Sequence, residues 1–170
     1  PSKQLLALAA DEVQRREMFV LLDEQRDAFN HVMHAVDSAR RGVTKTAVIV
    51  SGGPGSGKSV IALSIMGELA RQGRAVIHAT GSRSFTQTLR KVAAARAPRV
   101  RKAFQYFNSF METEPNSLDC LILDEAHRIR ETSVNRWTSA ALRTGRPQID
   151  ELLEAALVPV FLLDQDQVVR

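Results

Sequence analysis

Apolar residues along this chain fall into two kinds of run. One kind is short, nearly continuous and rich in β-branched residues: 46–51 (TAVIVS), 75–79 (AVIHA), 118–123 (LDCLIL) and 158–163 (VPVFLL). Such runs are too short for helices, and their sustained apolarity predicts strands buried on both faces. The other kind predicts helices, over 3–16, 23–41, 59–72, 84–97, 133–143 and 148–156. Asp23 is placed as an N-cap, and Gly42, Gly73 and Pro98 supply stops. Strands that alternate with helices imply right-handed crossovers and a parallel sheet with helices on both faces, an α/β fold. In such a sheet, ligands lie beyond the carboxyl ends of the strands.

Length changes the picture little: 170 residues make one domain with room for a substantial core. Cys120 is the only cysteine, which excludes an internal disulfide and points to a reducing, cytoplasmic setting. The most apolar stretch, 152–163, is broken by Glu154 and Pro159 and is too short to span a bilayer, so no membrane partner is expected. Charge is more informative. The net value is only +4, but no acidic residue lies between Glu68 and Glu112. That interval holds Arg71, Arg74, Arg83, Arg90, Lys91, Arg96, Arg99, Arg101 and Lys102. Such a block suits a phosphate-backbone contact; the alternative is a solvated helix surface.

Chemistry gathers at the ends of the predicted strands. After the first comes Gly52-Gly53-Pro54-Gly55-Ser56-Gly57-Lys58-Ser59, a full G-x-x-x-x-G-K-[ST] between strand and helix. Its glycines let backbone N–H groups converge on phosphates, and the following helix adds its positive dipole end. Gly53, Pro54, Gly55, Ser56 and Gly57 would cradle the nucleotide, Lys58 would reach the β- and γ-phosphates, and the Ser59 hydroxyl would ligate Mg²⁺. After the third strand come Asp124 and Glu125, in the order Asp-Glu-Ala-His. Asp124 is placed to hold hydrated Mg²⁺, and Glu125 to orient and deprotonate the attacking water. A glutamate beside the metal aspartate favours hydrolysis over transfer to another acceptor. No N-K-x-D stretch for guanine is present, which weakens a GTPase reading. After the fourth strand, Asp164-Gln165-Asp166-Gln167 offers a glutamine able to sense a γ-phosphate.

Together these residues resemble the N-terminal RecA-like lobe of superfamily 1 helicases, and most closely the Schlafen group 3-like DNA/RNA helicase domain family, over about residues 18–170. The stretch Leu22 to Phe29 is similar to the Q motif, which implies that Gln25 reads the adenine edge. Asp164-x-x-Gln167 resembles motif III, which implies a γ-phosphate contact for Gln167; Leu163 stands where the family has glycine. His78 to Arg83 occupies the place of motif Ia, and Tyr106-Phe107-Asn108-Ser109-Phe110 resembles the T-F-H-S-F stretch that follows it. The resemblance thereby implies strand contacts for Thr80, Ser82, Arg83 and Asn108. It also implies that His127 links the carboxylate loop to motif III; an isolated histidine beside a strand end can equally be packing. Phe104, Phe107 and Phe110, spaced by three, read as core; the alternative is a stacking surface of Tyr106, Phe107 or Phe110. Cys120 reads as a buried small hydrophobe and Trp137 as packing.

The expectation is therefore a single RecA-like P-loop NTPase lobe over 1–170, with an N-terminal helical segment (1–45) carrying the Q motif and a P-loop core (46–170). Its cofactors would be ATP and Mg²⁺. Its partners would be single-stranded DNA or RNA and a second RecA-like lobe of the parent protein. Catalysis would rest on Glu125, Lys58 and Gln167, and would be weak without the second lobe's arginines. Two other classes compete: a regulatory ATP switch acting on a protein partner, and an inactive nucleotide-binding scaffold.

Overall fold

The four apolar runs each become a strand. A computed structural model of the chain describes residues 23–42, 44–82, 87, 102–143 and 145–164. In chain order the helices and strands are α1 (Asp23–Arg40), β1 (Val48–Gly52), α2 (Lys58–Arg71), β2 (Val76–Thr80), β3 (Phe104–Tyr106), β4 (Leu118–Asp124), α3 (Gln148–Ala155) and β5 (Ala156–Asp164). Short 3₁₀ turns lie at Phe107–Ser109, Ala126–Arg128 and Ala140–Leu142. The helices expected over 3–16 and 84–97 fall outside the described residues, apart from Gln87.

All pairings are parallel, and the strand order is β1-β5-β4-β2-β3. Successive side chains of a strand point to opposite faces, so each buried strand feeds two cores. On one face, Ile122, Val158, Val160 and Leu162 meet Val32 and Val36 of α1 and Ile65 and Leu69 of α2. On the other, Leu121, Leu123 and Phe161 meet Leu152 and Ala155 of α3. The chain is thus α/β, with a RecA-like sheet covered on both faces. Among the described residues, no helix is long and apolar enough to cross a membrane.

Several elements differ from the sequence reading. A fifth strand, β3, pairs with β2 at the sheet edge (His78 opposite Phe104, Thr80 opposite Tyr106). The helix expected over 133–143 does not form; the segment is loop with one 3₁₀ turn. Short polar side chains there engage the backbone locally: the Asn135 amide donates to Thr138 Oγ1, and the Trp137 amide donates to Asn135 Oδ1. Such bonds compete with a helix ladder. Trp137, expected to pack, is 80% exposed. Phe104, Phe107 and Phe110 are buried, the first in one core and the other two in the opposite one. Cys120 is fully buried, and desolvation pushes its thiol far above the ordinary range.

Candidate nucleotide site and the adjoining groove

Parallel register brings the polar strand ends into one row. Gly52 lies opposite Asp164, and Thr80 opposite both Asp124 and Tyr106. Because β5 separates β1 from β4, the phosphate loop and the carboxylate pair stand two strand spacings apart, about 10 Å. The gap forms a pocket of about 420 Å³ whose walls include Lys58, Ser59, Asp124, Glu125, His127 and Asp164.

The loop over 53–57 closes tightly. Gly57 has φ of 82°, a left-handed conformation that favours glycine, and a Cβ there would lie 2.1 Å from Gln25 Nε2, so the amide would have to move. Gly52 allows a second close approach, since a Cβ would meet Ser56 Oγ at 2.6 Å. The Lys58 ammonium donates to the carbonyls of Gly52 and Gly53, both at 2.7 Å, and to Ser56 Oγ at 3.2 Å. Its charge therefore sits at the centre of the loop. Gln25, near the start of α1, donates from Nε2 to the Ser56 carbonyl at 2.8 Å, so the α1 amide and the loop are joined directly.

Across the pocket, the Ser59 hydroxyl reaches Asp124 Oδ2 at 3.5 Å. Asp124 is buried, and desolvation alone would raise its carboxyl. His78 beside it, the Glu125 amide donating to Oδ1 at 2.9 Å and Ser59 outweigh that effect and hold it below the usual carboxylate range. His78 is 1% exposed on β2, with Nε2 3.4 Å from Asp124 Oδ2. The sequence reading placed this histidine at the start of the motif Ia stretch and gave it no part in the nucleotide site; the signal for that part was a polar residue inside an apolar strand. Among the described residues, no group of three or more His, Cys, Asp or Glu side chains could hold a metal alone. Ser59 with Asp124 instead fits a hard cation that keeps waters and phosphate oxygens as its remaining ligands.

Glu125 has φ of 52° and ψ of 46°, a left-handed conformation that costs a non-glycine residue about 1 kcal/mol or more. Two side chains hold its carboxylate. Thr80 Oγ1 donates to Oε2 at 3.3 Å, and Arg128 Nε lies 3.2 Å from the same oxygen. Thr80 also accepts the Ser82 amide at 3.1 Å and is 1% exposed. Thr80, expected as a strand contact, thus lines a hollow on the β2–β3 side and at the same time donates to the Glu125 carboxylate. His127 lines the pocket, and its Nδ1 is buried without a hydrogen-bond partner among the described residues. Gln167 and Arg83 lie outside the described residues, as do Arg90, Lys91, Arg96, Arg99 and Arg101 of the basic block.

A second hollow, about 520 Å³, opens on the β2–β3 side of Glu125. Asn108 and Tyr106 line it, as the resemblance to the T-F-H-S-F stretch implies, together with Arg128, Arg130, Arg136 and Trp137. The Arg136 guanidinium stacks 4.8 Å from the Trp137 ring centre. The sequence reading did not single out the three arginines, and it took Trp137 as packing within a helix over 133–143.

Residues 45–170 match the family described as Schlafen group 3, DNA/RNA helicase domain. The match begins after α1, so Gln25 lies outside it. No curated protein matches the chain.

Proposed function

The chain belongs to the Schlafen group 3 DNA/RNA helicase domain family, and from that premise we propose that it is the ATP-binding and ATP-hydrolysing lobe of a nucleic-acid-dependent motor. One observation carries the reading: a complete phosphate loop faces an Asp-Glu pair, with the Ser59 hydroxyl 3.5 Å from Asp124. That separation is too long for a strong direct bond and leaves both oxygens disposed toward one cation.

Each residue then has a physical task. Lys58 exchanges the Gly52 and Gly53 carbonyls for β- and γ-phosphate oxygens, which carry more negative charge and bind an ammonium more strongly. Loop N–H groups and the N-terminus of α2 stabilise the same phosphates. Ser59 and Asp124 would hold Mg²⁺, which when bound would supply charge neutralisation. Asp124 is suited to this because its surroundings keep it ionised. Glu125 orients a water and takes its proton. Gln25, already bonded to the loop, reads the adenine edge, and Gln167 after β5 contacts the γ-phosphate. The position of β5 between β1 and β4 supports that last assignment, since the chain leaves the sheet at Asp164 between the loop and the carboxylates.

Calorimetric titration with Mg-ATP and a hydrolysis assay test this together. Lys58→Ala is expected to remove a charge-assisted contact of about 2–3 kcal/mol and so weaken binding at least thirtyfold. Glu125→Gln is expected to retain binding while hydrolysis falls by roughly 10²-fold or more. Gln25→Ala should weaken ATP more than GTP. Unchanged affinity in a folded Lys58→Ala protein would overturn the assignment of the phosphate site.

A further inference from the structure

Glu125 stands in the wall between the two hollows. Its carboxylate belongs to the nucleotide pocket, yet the groups that hold it, Thr80 and Arg128, line the groove on the other side. We propose that Arg128 is a shared cation: it restrains Glu125 when the groove is empty, and a single-stranded nucleic acid releases that carboxylate by drawing Arg128 onto a backbone phosphate. The inference deepens the motor reading and rests on it.

Three observations support the exchange. First, the pair is weak. Arg128 is half exposed, and an exposed ion pair between residues three apart contributes little. A backbone phosphodiester, singly charged like the carboxylate, offers the guanidinium two parallel hydrogen bonds, so it competes for that partner. Second, the groove has the composition of a single-strand site. Arg128, Arg130 and Arg136 supply cations, and Trp137 is 80% exposed with a guanidinium already stacked on it. An exposed indole beside cations presents a base-stacking surface that any base can use. A protein surface of acidic residues would satisfy the arginines but leave the indole unexplained. Third, Glu125 is held in a strained backbone conformation, with its carboxylate aimed at the groove side by two contacts. When Arg128 departs, Thr80 alone remains, and the carboxylate can turn toward the attacking water. Arg128 and Thr80 are thus positioning residues that act through Glu125.

Reciprocity gives a test that needs no turnover. If phosphate and Glu125 compete for Arg128, removing the carboxylate must tighten nucleic-acid binding by the same coupling. The measurement uses the full chain without nucleotide and oligomers of deoxythymidine and of uridine of about twelve nucleotides, within the usual single-strand site size. Anisotropy of a labelled strand gives affinity. Trp137 is the only tryptophan, so its quenching reports occupancy of the groove directly. Glu125→Gln is expected to raise affinity about fivefold, the lower end of common coupling factors. Arg128→Gln is expected to lower it, and in that background Glu125→Gln should add nothing. Glu131→Gln removes an exposed carboxylate that does not line the groove and should leave affinity within about twofold, as for a solvent-screened charge. In hydrolysis, Thr80→Val and Arg128→Gln should raise the rate without a strand and shrink the stimulation by a strand.

An equal gain from Glu125→Gln in both backgrounds would mean a general field effect, and no gain at all would mean no exchange; either overturns the shared cation. If those results came with normal Mg-ATP binding and strand-stimulated hydrolysis, the motor reading would stand while the inference fell. A wild-type chain that binds Mg-ATP but neither quenches Trp137 nor binds a strand at low salt would remove the groove as well.

Discussion

Residue identities in this protein matter most where one side chain has two neighbours with opposing demands. Asp124 is buried, which disfavours its charge, yet His78, Ser59 and the Glu125 amide keep it ionised. Glu125 accepts from Thr80 and pairs with Arg128 on a strained backbone. Glu68 offers a simpler case, remote from the phosphate loop at the last turn of α2. Hydrogen bonds from Arg71, at 2.6 Å, and from Gln72 hold its carboxyl below the usual value. A depressed folded-state pKa adds stability above the unfolded value, 4.5, and loses it as pH falls through the folded value. Glu68→Gln should therefore lower stability at pH 7 by a fraction of a kcal/mol, about 0.5 for so exposed a pair, and by progressively less as pH falls through the folded-state value. Urea midpoints of the two proteins across that range would check it; a difference that persists at low pH would contradict the sign.

Elements are decided by competition between local pattern and distant partners. The segment over 133–143 has helix-like spacing but is pinned from below by α3. Gln148, 2% exposed, accepts the Arg130 amide at 2.8 Å and donates to Ser133 Oγ at 2.9 Å. Ser133 in turn donates to Glu151. These bonds fix the turn from Arg130 to Ser133, which carries one wall of the groove. Gln148→Ala would leave the Arg130 N–H and the Ser133 hydroxyl short of partners, so a loss of about 2 kcal/mol is expected in urea unfolding. A loss below about 0.5 kcal/mol would mean that water replaces the amide freely. β5 shows a similar override. It runs through the middle of the sheet with Pro159 opposite Leu121, a position where a missing N–H removes a ladder bond. Burial of Val158, Val160 and Leu162, each about 2 kcal/mol, outweighs that loss.

At the scale of the whole molecule, the carboxyl edge of the sheet divides into a phosphate side and a groove side, with Glu125 between them. The basic block points to a polyanion, but most of it lies outside the described residues. Arg128, Arg130 and Arg136 supply three groove cations independent of that block. Three phosphates neutralised on a single strand give a slope near −2 in log K against log salt, from about −0.7 each. Replacing Arg136 should reduce the slope by about 0.7. Replacing Arg71, paired with Glu68 at the far end of α2, should leave it unchanged. Anisotropy across a salt series would decide this, and equal losses for the two arginines would return the groove to ordinary surface.

The sequence by itself determined the α/β class, four of the five strands among the described residues, and the placing of the phosphate loop and the Asp-Glu pair at strand ends. Those features are written locally: a β-branched run, a glycine signature and a carboxylate pair need no knowledge of neighbours. It also marked Phe104, Phe107, Phe110 and Cys120 as core, because burial follows from side-chain character. Tertiary structure decided the rest. Strand order placed β5 between β1 and β4, and register set Thr80 beside Asp124. Contacts across 45 residues brought Thr80, expected as a strand contact, onto the Glu125 carboxylate. Buried side chains of α3 unmade a helix and left Trp137 in solvent. The physical reason is common to all of these. Periodicity records which face of an element is apolar, but which partner that face meets is set by packing the whole chain at once, and polar side chains take the bonds that packing leaves within reach.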